Sequence, residues 1–137
     1  MRRLAILSVC LLALVPAFDA ASAAGGNNGS VSRSWISTTS GGASAKQFSV
    51  TKIKRLYANF TWRTPASPGL VLTIEWHDPA GALRARWRDK TIKADKKGTR
   101  LFAWIGSGVV KGKAGSWKAV LTVGGKPIST SKFRVVA

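Results

Sequence analysis

The chain has 137 residues, with 22 Lys and Arg against 5 Asp and Glu, for a net charge of +17. That length fits one domain. One Cys, one His and so few carboxylates leave little material for a metal centre or an acid–base pair, so no cofactor is implied.

Met1-Arg2-Arg3 is a short cationic start, and Leu4 to Val15 is an unbroken apolar run. Pro16 ends the run, and Ala21-Ser22-Ala23 places small residues where a signal peptidase needs them. Residues 1–23 are therefore predicted to be a cleaved secretory signal peptide, with the product secreted or periplasmic. The run is too short for a bilayer, which takes about 20 residues, so no transmembrane span is expected after cleavage. Cleavage near Ala23 removes Arg2, Arg3, Asp19 and Cys10, leaving 20 basic and 4 acidic residues on a chain of 114. With no cysteine left, disulfides cannot contribute and the domain must rely on its core.

Residues 24–45 contain the Gly/Ser/Asn-rich stretches Ala24 to Ser30 and Thr38 to Ser44. They predict a flexible segment. Between them, Val31 to Ile36 fits either a short first strand or tail. The folded domain is expected over 46–137. There the apolar period is two, as half-buried strands require. Leu56, Ala58, Phe60 and Trp62 alternate with polar neighbours, as do Leu70, Leu72, Ile74 and Trp76. Leu83, Ala85 and Trp87 alternate with Arg84, Arg86 and Arg88. Trp117, Ala119, Leu121 and Val123 form another set, and Phe133 and Val135 the last. Asp78-Pro79-Ala80-Gly81 and Asp95 to Gly98 fit polar turns, and Gly124-Gly125 fits a two-residue hairpin turn. The fold class is all-β: an antiparallel β-sandwich of about seven strands, with a small barrel as the alternative. Trp62, Trp76, Trp87 and Trp117 are expected in its core. Thr99 to Ile105 is apolar on both faces, so it is either a central strand covered on both sides or a strand with one aromatic pair exposed, and which of Phe102/Trp104 and Leu101/Ile105 faces the core stays open.

Phe60-Thr-Trp62, Glu75-Trp76-His-Asp-Pro79, Phe102-Ala-Trp104, and Gly115-Ser-Trp117 followed by Gly124-Gly125 and Phe133-Arg-Val135 occur in an informative order. This order resembles that of bacterial secreted immunoglobulin-like, fibronectin-III-like domains over about residues 46–137. The resemblance implies an Ig-like β-sandwich and, in general, a binding, spacing or accessory role; the lack of an acid–base pair or a nucleophile arrangement separately predicts no enzymatic activity.

Glu75 and His77 share a strand face, but two ligands do not make a zinc site. Asp78 is better placed to cap its turn, and no Gly-x-Ser-x-Gly elbow exists. The basic residues are the anomaly. Arg84, Arg86 and Arg88 project from one sheet face, followed by Lys90, Lys93, Lys96, Lys97, Arg100, Lys111, Lys113 and Lys118. These are 11 of the 20 basic residues left after cleavage. Such an excess costs stability through self-repulsion and suits electrostatic capture of a polyanion. The expected binding face is Arg84, Arg86, Arg88, Lys90, Lys93, Arg100, Lys111, Lys113 and Lys118, with Trp104 beside Arg100 as an aromatic contact. Expected partners are an anionic envelope polymer, acidic polysaccharide, lipid headgroups or an acidic protein. Extracellular nucleic acid and peripheral membrane contact are compatible with the same charge. The alternative is a protein-interaction or structural module that uses an apolar edge or exposed aromatic face, with charge serving solubility only.

Overall fold

A computed structural model describes residues 27–89 and 95–137. The expected signal peptide, Lys90 and Lys93 lie outside the described residues. Eight strands occur among those described: β1 (Ser30–Ser37), β2 (Gln47–Ser49), β3 (Arg55–Thr64), β4 (Leu72–His77), β5 (Leu83–Asp89), β6 (Arg100–Gly106), β7 (Gly115–Val123) and β8 (Lys126–Val136). They form two sheets, one ordered β1-β3-β6 and the other β2-β8-β7-β4-β5. All pairings are antiparallel except β2 with β8, where Gln47 to Ser49 run parallel to Arg134 to Val136.

The alternating residues face inward as the period of two requires. Leu56, Ala58, Phe60 and Trp62 of β3 meet Leu72, Ile74 and Trp76 of β4 and Trp117, Ala119 and Leu121 of β7 in one buried cluster. Phe133 sits at its aromatic centre. It contacts Phe48 and Trp76 edge-on at 6.0 and 5.9 Å and stacks with Trp117 at 6.2 Å. The Gly124-Gly125 turn joins β7 to β8 with φ of 59° and 82°, the left-handed pair that a two-residue hairpin with the native twist demands. On β6, Ala103 and Ile105 face the core while Phe102 and Trp104 face outward.

Two expectations are corrected. Within the segment expected to be flexible, Ser30–Ser37 is a strand that pairs along β3 from Thr64 to Tyr57. Ile36 enters the core, and Trp35 is buried on the outer face, where its Nε1 donates to the Gly42 carbonyl at 2.8 Å. Trp87 points inward from β5 but is 40% exposed. β5 is an edge strand of the five-stranded sheet, and Leu83 on the same strand is exposed to a similar degree.

Candidate functional site

On the outer face of the five-stranded sheet, β4 supplies the carboxylate that meets the arginines of β5. Glu75 pairs in register with Arg86, and its Oε2 accepts from Arg86 Nη2 at 2.8 Å and Nε at 2.9 Å. His77 Nε2 lies 3.5 Å from Glu75 Oε1, and no third ligand-type side chain joins them among the described residues. Arg84 Nε donates to Asp78 Oδ2 at 2.7 Å. Two of the three alternating arginines are therefore already neutralised. Arg88 lies opposite Thr73 and lines a shallow depression with Thr122 and Pro127.

Asp78 is almost fully buried and closes the β4–β5 turn. Its Oδ1 accepts from the Ala80 and Ala82 amides at 2.9 Å each. The Arg84 hydrogen bond, then the Ala82 amide, hold its carboxyl below the usual 3.8, against the opposing effect of burial. A depressed folded pKa contributes stability above the unfolded value and loses it as pH falls through the folded one. Thermal melts between pH 5 and 2 are thus expected to show a steeper loss below about pH 4 in the wild type than in Asp78→Asn. Equal slopes would contradict this role for Asp78.

A second cationic group gathers on the same face. Lys118 of β7 lies directly opposite Lys132 of β8, and Ser116 opposite Arg134. Lys46, Lys118, Lys132 and Arg134 line a depression of about 510 Å³, with Asp78 and Ser116. Like charges directly opposite on neighbouring strands repel. Arg84 and Arg86 form ion pairs with Asp78 and Glu75.

The residues expected on one basic face divide among three places. Arg86, Arg88 and Lys118 share the outer face of the five-stranded sheet, and Arg84 stands at the β4–β5 register shift beside Asp78. Lys111 and Lys113 lie in the connection before β7, where the Lys113 carbonyl accepts from Trp117 Nε1 at 2.8 Å. Arg100 stands on the other sheet, because β6 is an outer strand of the three-stranded sheet. Lys46, Lys132 and Arg134 were absent from the expected face. For Lys132 and Arg134 the signal is a parity conflict: Ile128 and Phe133 are both apolar but an odd number of positions apart, so both point inward only across a bulge. The β7–β8 register shifts between Leu121 and Thr122, where Pro127 supplies no amide to the ladder.

The outer face of the three-stranded sheet combines rings with guanidinium groups. Arg55 lies 4.0 Å over the Trp104 ring, Arg33 4.0 Å over Trp35, and Arg100 4.8 Å over Phe102. The expected Arg100–Trp104 partnership is thus replaced by Arg100–Phe102 and Arg55–Trp104. The two residues of the expected pair project on the same face two pleats apart, and each meets a nearer partner. Arg100 is held by neutral acceptors, Asn59 Oδ1 at 3.0 Å and Ser40 Oγ at 3.1 Å. Phe102 and Trp104 remain 41% and 48% exposed.

No protein-family model matches the chain, and no curated protein matches it in sequence. Among solved structures, an immunoglobulin-like protein from Pseudomonas aeruginosa superposes with a TM-score of 0.53 at 10% identity, over 78% of this chain and 95% of that one. At that identity the likeness is one of fold alone, β-rich and immunoglobulin-like. An alkylpurine DNA glycosylase from Pseudomonas fluorescens, bound to DNA containing an abasic-site analogue, matches with a TM-score of 0.49 at 12% identity, over 81% of this chain and 31% of its own. A β-glucosidase from Listeria innocua in complex with laminaribiose matches with a TM-score of 0.48 at 11% identity, over 77% of this chain and 16% of its own. This chain spans only a small part of either enzyme, and neither likeness bears on its activity.

Proposed function

We propose that the protein is an exported, non-catalytic binding module with an Ig-like β-sandwich fold. It contacts an anionic partner (an envelope polymer, acidic polysaccharide, lipid headgroups or an acidic protein) through the outer face of its five-stranded sheet. The observation that carries this reading is the opposition of Lys118 and Lys132, with Lys46 and Arg134 around the same depression. Asp78, the carboxylate of that depression, is committed to Arg84 and to turn amides. Four cations so placed attract a multivalent anion by displacing its counterions, and the attraction weakens as salt rises. Export is supported by the signal-peptide pattern of residues 1–23.

The test is elution from immobilised heparin along a salt gradient. The triple variant Lys118→Glu, Lys132→Glu, Arg134→Glu is expected to bind about tenfold or more weakly, with a shallower salt dependence. Arg84→Ala, which removes an arginine already paired, is expected to change retention far less. Unchanged retention of a folded triple variant, judged by circular dichroism, would sink the assignment.

A further inference from the structure

The two sheets have four edge strands, β1 and β6 in one and β2 and β5 in the other. An exposed edge carries unpaired backbone groups, and proteins blunt such edges with irregularity, brevity or charge. The β1 edge has two register shifts and a bridge from Ile36 to Ala45. The β2 edge is three residues long. The β5 edge carries Arg84, Arg86 and Arg88 within seven residues. By contrast, β6 (Arg-Leu-Phe-Ala-Trp-Ile-Gly) has seven consecutive pairs with β3, no register shift and a charge only at its first residue.

The parity of its ladder is fixed at both ends. Trp62 N donates to Thr99 O, and Ser107 N donates to Lys54 O. Leu101, Ala103 and Ile105 therefore exchange hydrogen bonds with β3, and the N–H and C=O groups of Arg100, Phe102 and Trp104 point to the other edge, where no strand pairs among the described residues. Along that edge runs a cleft of about 500 Å³ lined by Trp87, Arg100, Leu101, Phe102, Ala103 and Trp104.

We propose that the β6 edge docks an extended acidic–apolar segment of a partner protein, which adds as a fourth strand to the three-stranded sheet. Alternate apolar side chains of that segment enter the cleft beside Trp87, Leu101 and Ala103. Its acidic side chains lie on the outer face, between the guanidinium groups of Arg100 and Arg55. Charge complementarity selects this occupant. Among the described residues the acceptors that hold Arg100 are neutral, and a second copy of a chain with net charge +17 would bring like charge against like. Backbone pairing supplies affinity, and the alternating pockets supply register. This site is on the opposite sheet from the cationic depression and does not depend on it.

The probe is the blocked heptapeptide Glu-Val-Glu-Val-Glu-Val-Glu, titrated into the full chain by calorimetry, with hydrogen exchange read in parallel. Binding is expected, with the Arg100, Phe102 and Trp104 amides slowed about tenfold or more and Trp104→Ala weakening affinity by about tenfold. Two N-methylated versions of the peptide test strand pairing without altering the protein. In antiparallel pairing, methylation of the Glu amides abolishes binding and methylation of the Val amides spares it. The triple variant of the cationic depression is expected to bind the peptide as the wild type does, so the two sites fail separately. The proposal is overturned by absence of binding or by equal effects of the two methylation patterns. A concentration-dependent dimer abolished by Phe102→Lys would overturn it in favour of a second copy as occupant.

Discussion

Trp62→Ala is expected to cost about 3–5 kcal/mol, the range for deleting a buried aromatic side chain. Trp62 is 1% exposed and anchors the turn before β6 as well as the core. Its Nε1 donates to Asp95 Oδ2 at 2.8 Å, its backbone N–H to Thr99 O at 3.0 Å, and its carbonyl accepts from Gly98 N at 2.9 Å. Removing the indole opens a cavity between the sheets and releases Asp95 together. Trp62→Phe keeps most of the ring but loses the donor and is expected to cost about 1–2 kcal/mol plus a smaller packing loss. Against a total stability of order 5–15 kcal/mol, the alanine variant should lower the urea midpoint markedly. Trp87→Ala supplies the contrast. Its ring is only partly covered, so its loss should cost less than about 2 kcal/mol. Equal midpoint shifts for Trp62→Ala and Trp87→Ala would refute this account of the core.

The second large effect is expected at Asn59, a fully buried polar residue on the outer face of β3. Its Oδ1 accepts from Gly41 N at 3.1 Å and Arg100 Nη1 at 3.0 Å. Its Nδ2 donates to Ser37 Oγ at 2.9 Å and to the Trp35 carbonyl at 3.3 Å. Asn59 thereby ties β1, the loop after it, and β6 across the central strand. Asn59→Ala leaves several of these partners unpaired at once, and a cost of about 2–4 kcal/mol is expected. The Gly41 amide should exchange faster in this variant, and Arg100 should lose its fixed position beside Phe102. Docking of the heptapeptide should weaken with it. Asn59→Asp is no remedy. It strengthens the Arg100 contact but turns an oxygen toward the Trp35 carbonyl, so it should remain below wild type in urea denaturation. A wild-type midpoint for Asn59→Ala would show that solvent replaces these bonds.

Much of this was legible before folding is considered. A period of two makes successive side chains face opposite ways wherever a strand forms. Phe60, Trp62, Ile74, Trp76, Trp117 and Phe133 could therefore be assigned to the core from spacing alone. The turn at Asp78 follows from what Asp, Pro and Gly can do locally, and the hairpin at Gly124 from the positive φ that glycine accepts. The strand Ser30–Ser37 was less legible. Its side chains are mostly small or polar, and it is held by backbone pairing with β3 and by Asn59, partners distant in sequence.

The basic face shows the same limit more sharply. Spacing determined that Arg84, Arg86 and Arg88 project together from β5, and that Arg100, Phe102 and Trp104 share one side of β6. Only the tertiary structure decided which sheet each strand joined, and so separated Arg100 from the other three arginines. It also paired Arg84 and Arg86 with carboxylates, brought Lys132 and Arg134 beside Lys118 through a bulge at Ile128, and left Trp87 partly exposed beside the β6 edge. The reason is physical. Which way a side chain points depends on its own strand, through a steric rule that acts between neighbouring residues. What it meets there depends on strand order and register, which are set by contacts between residues far apart in the chain.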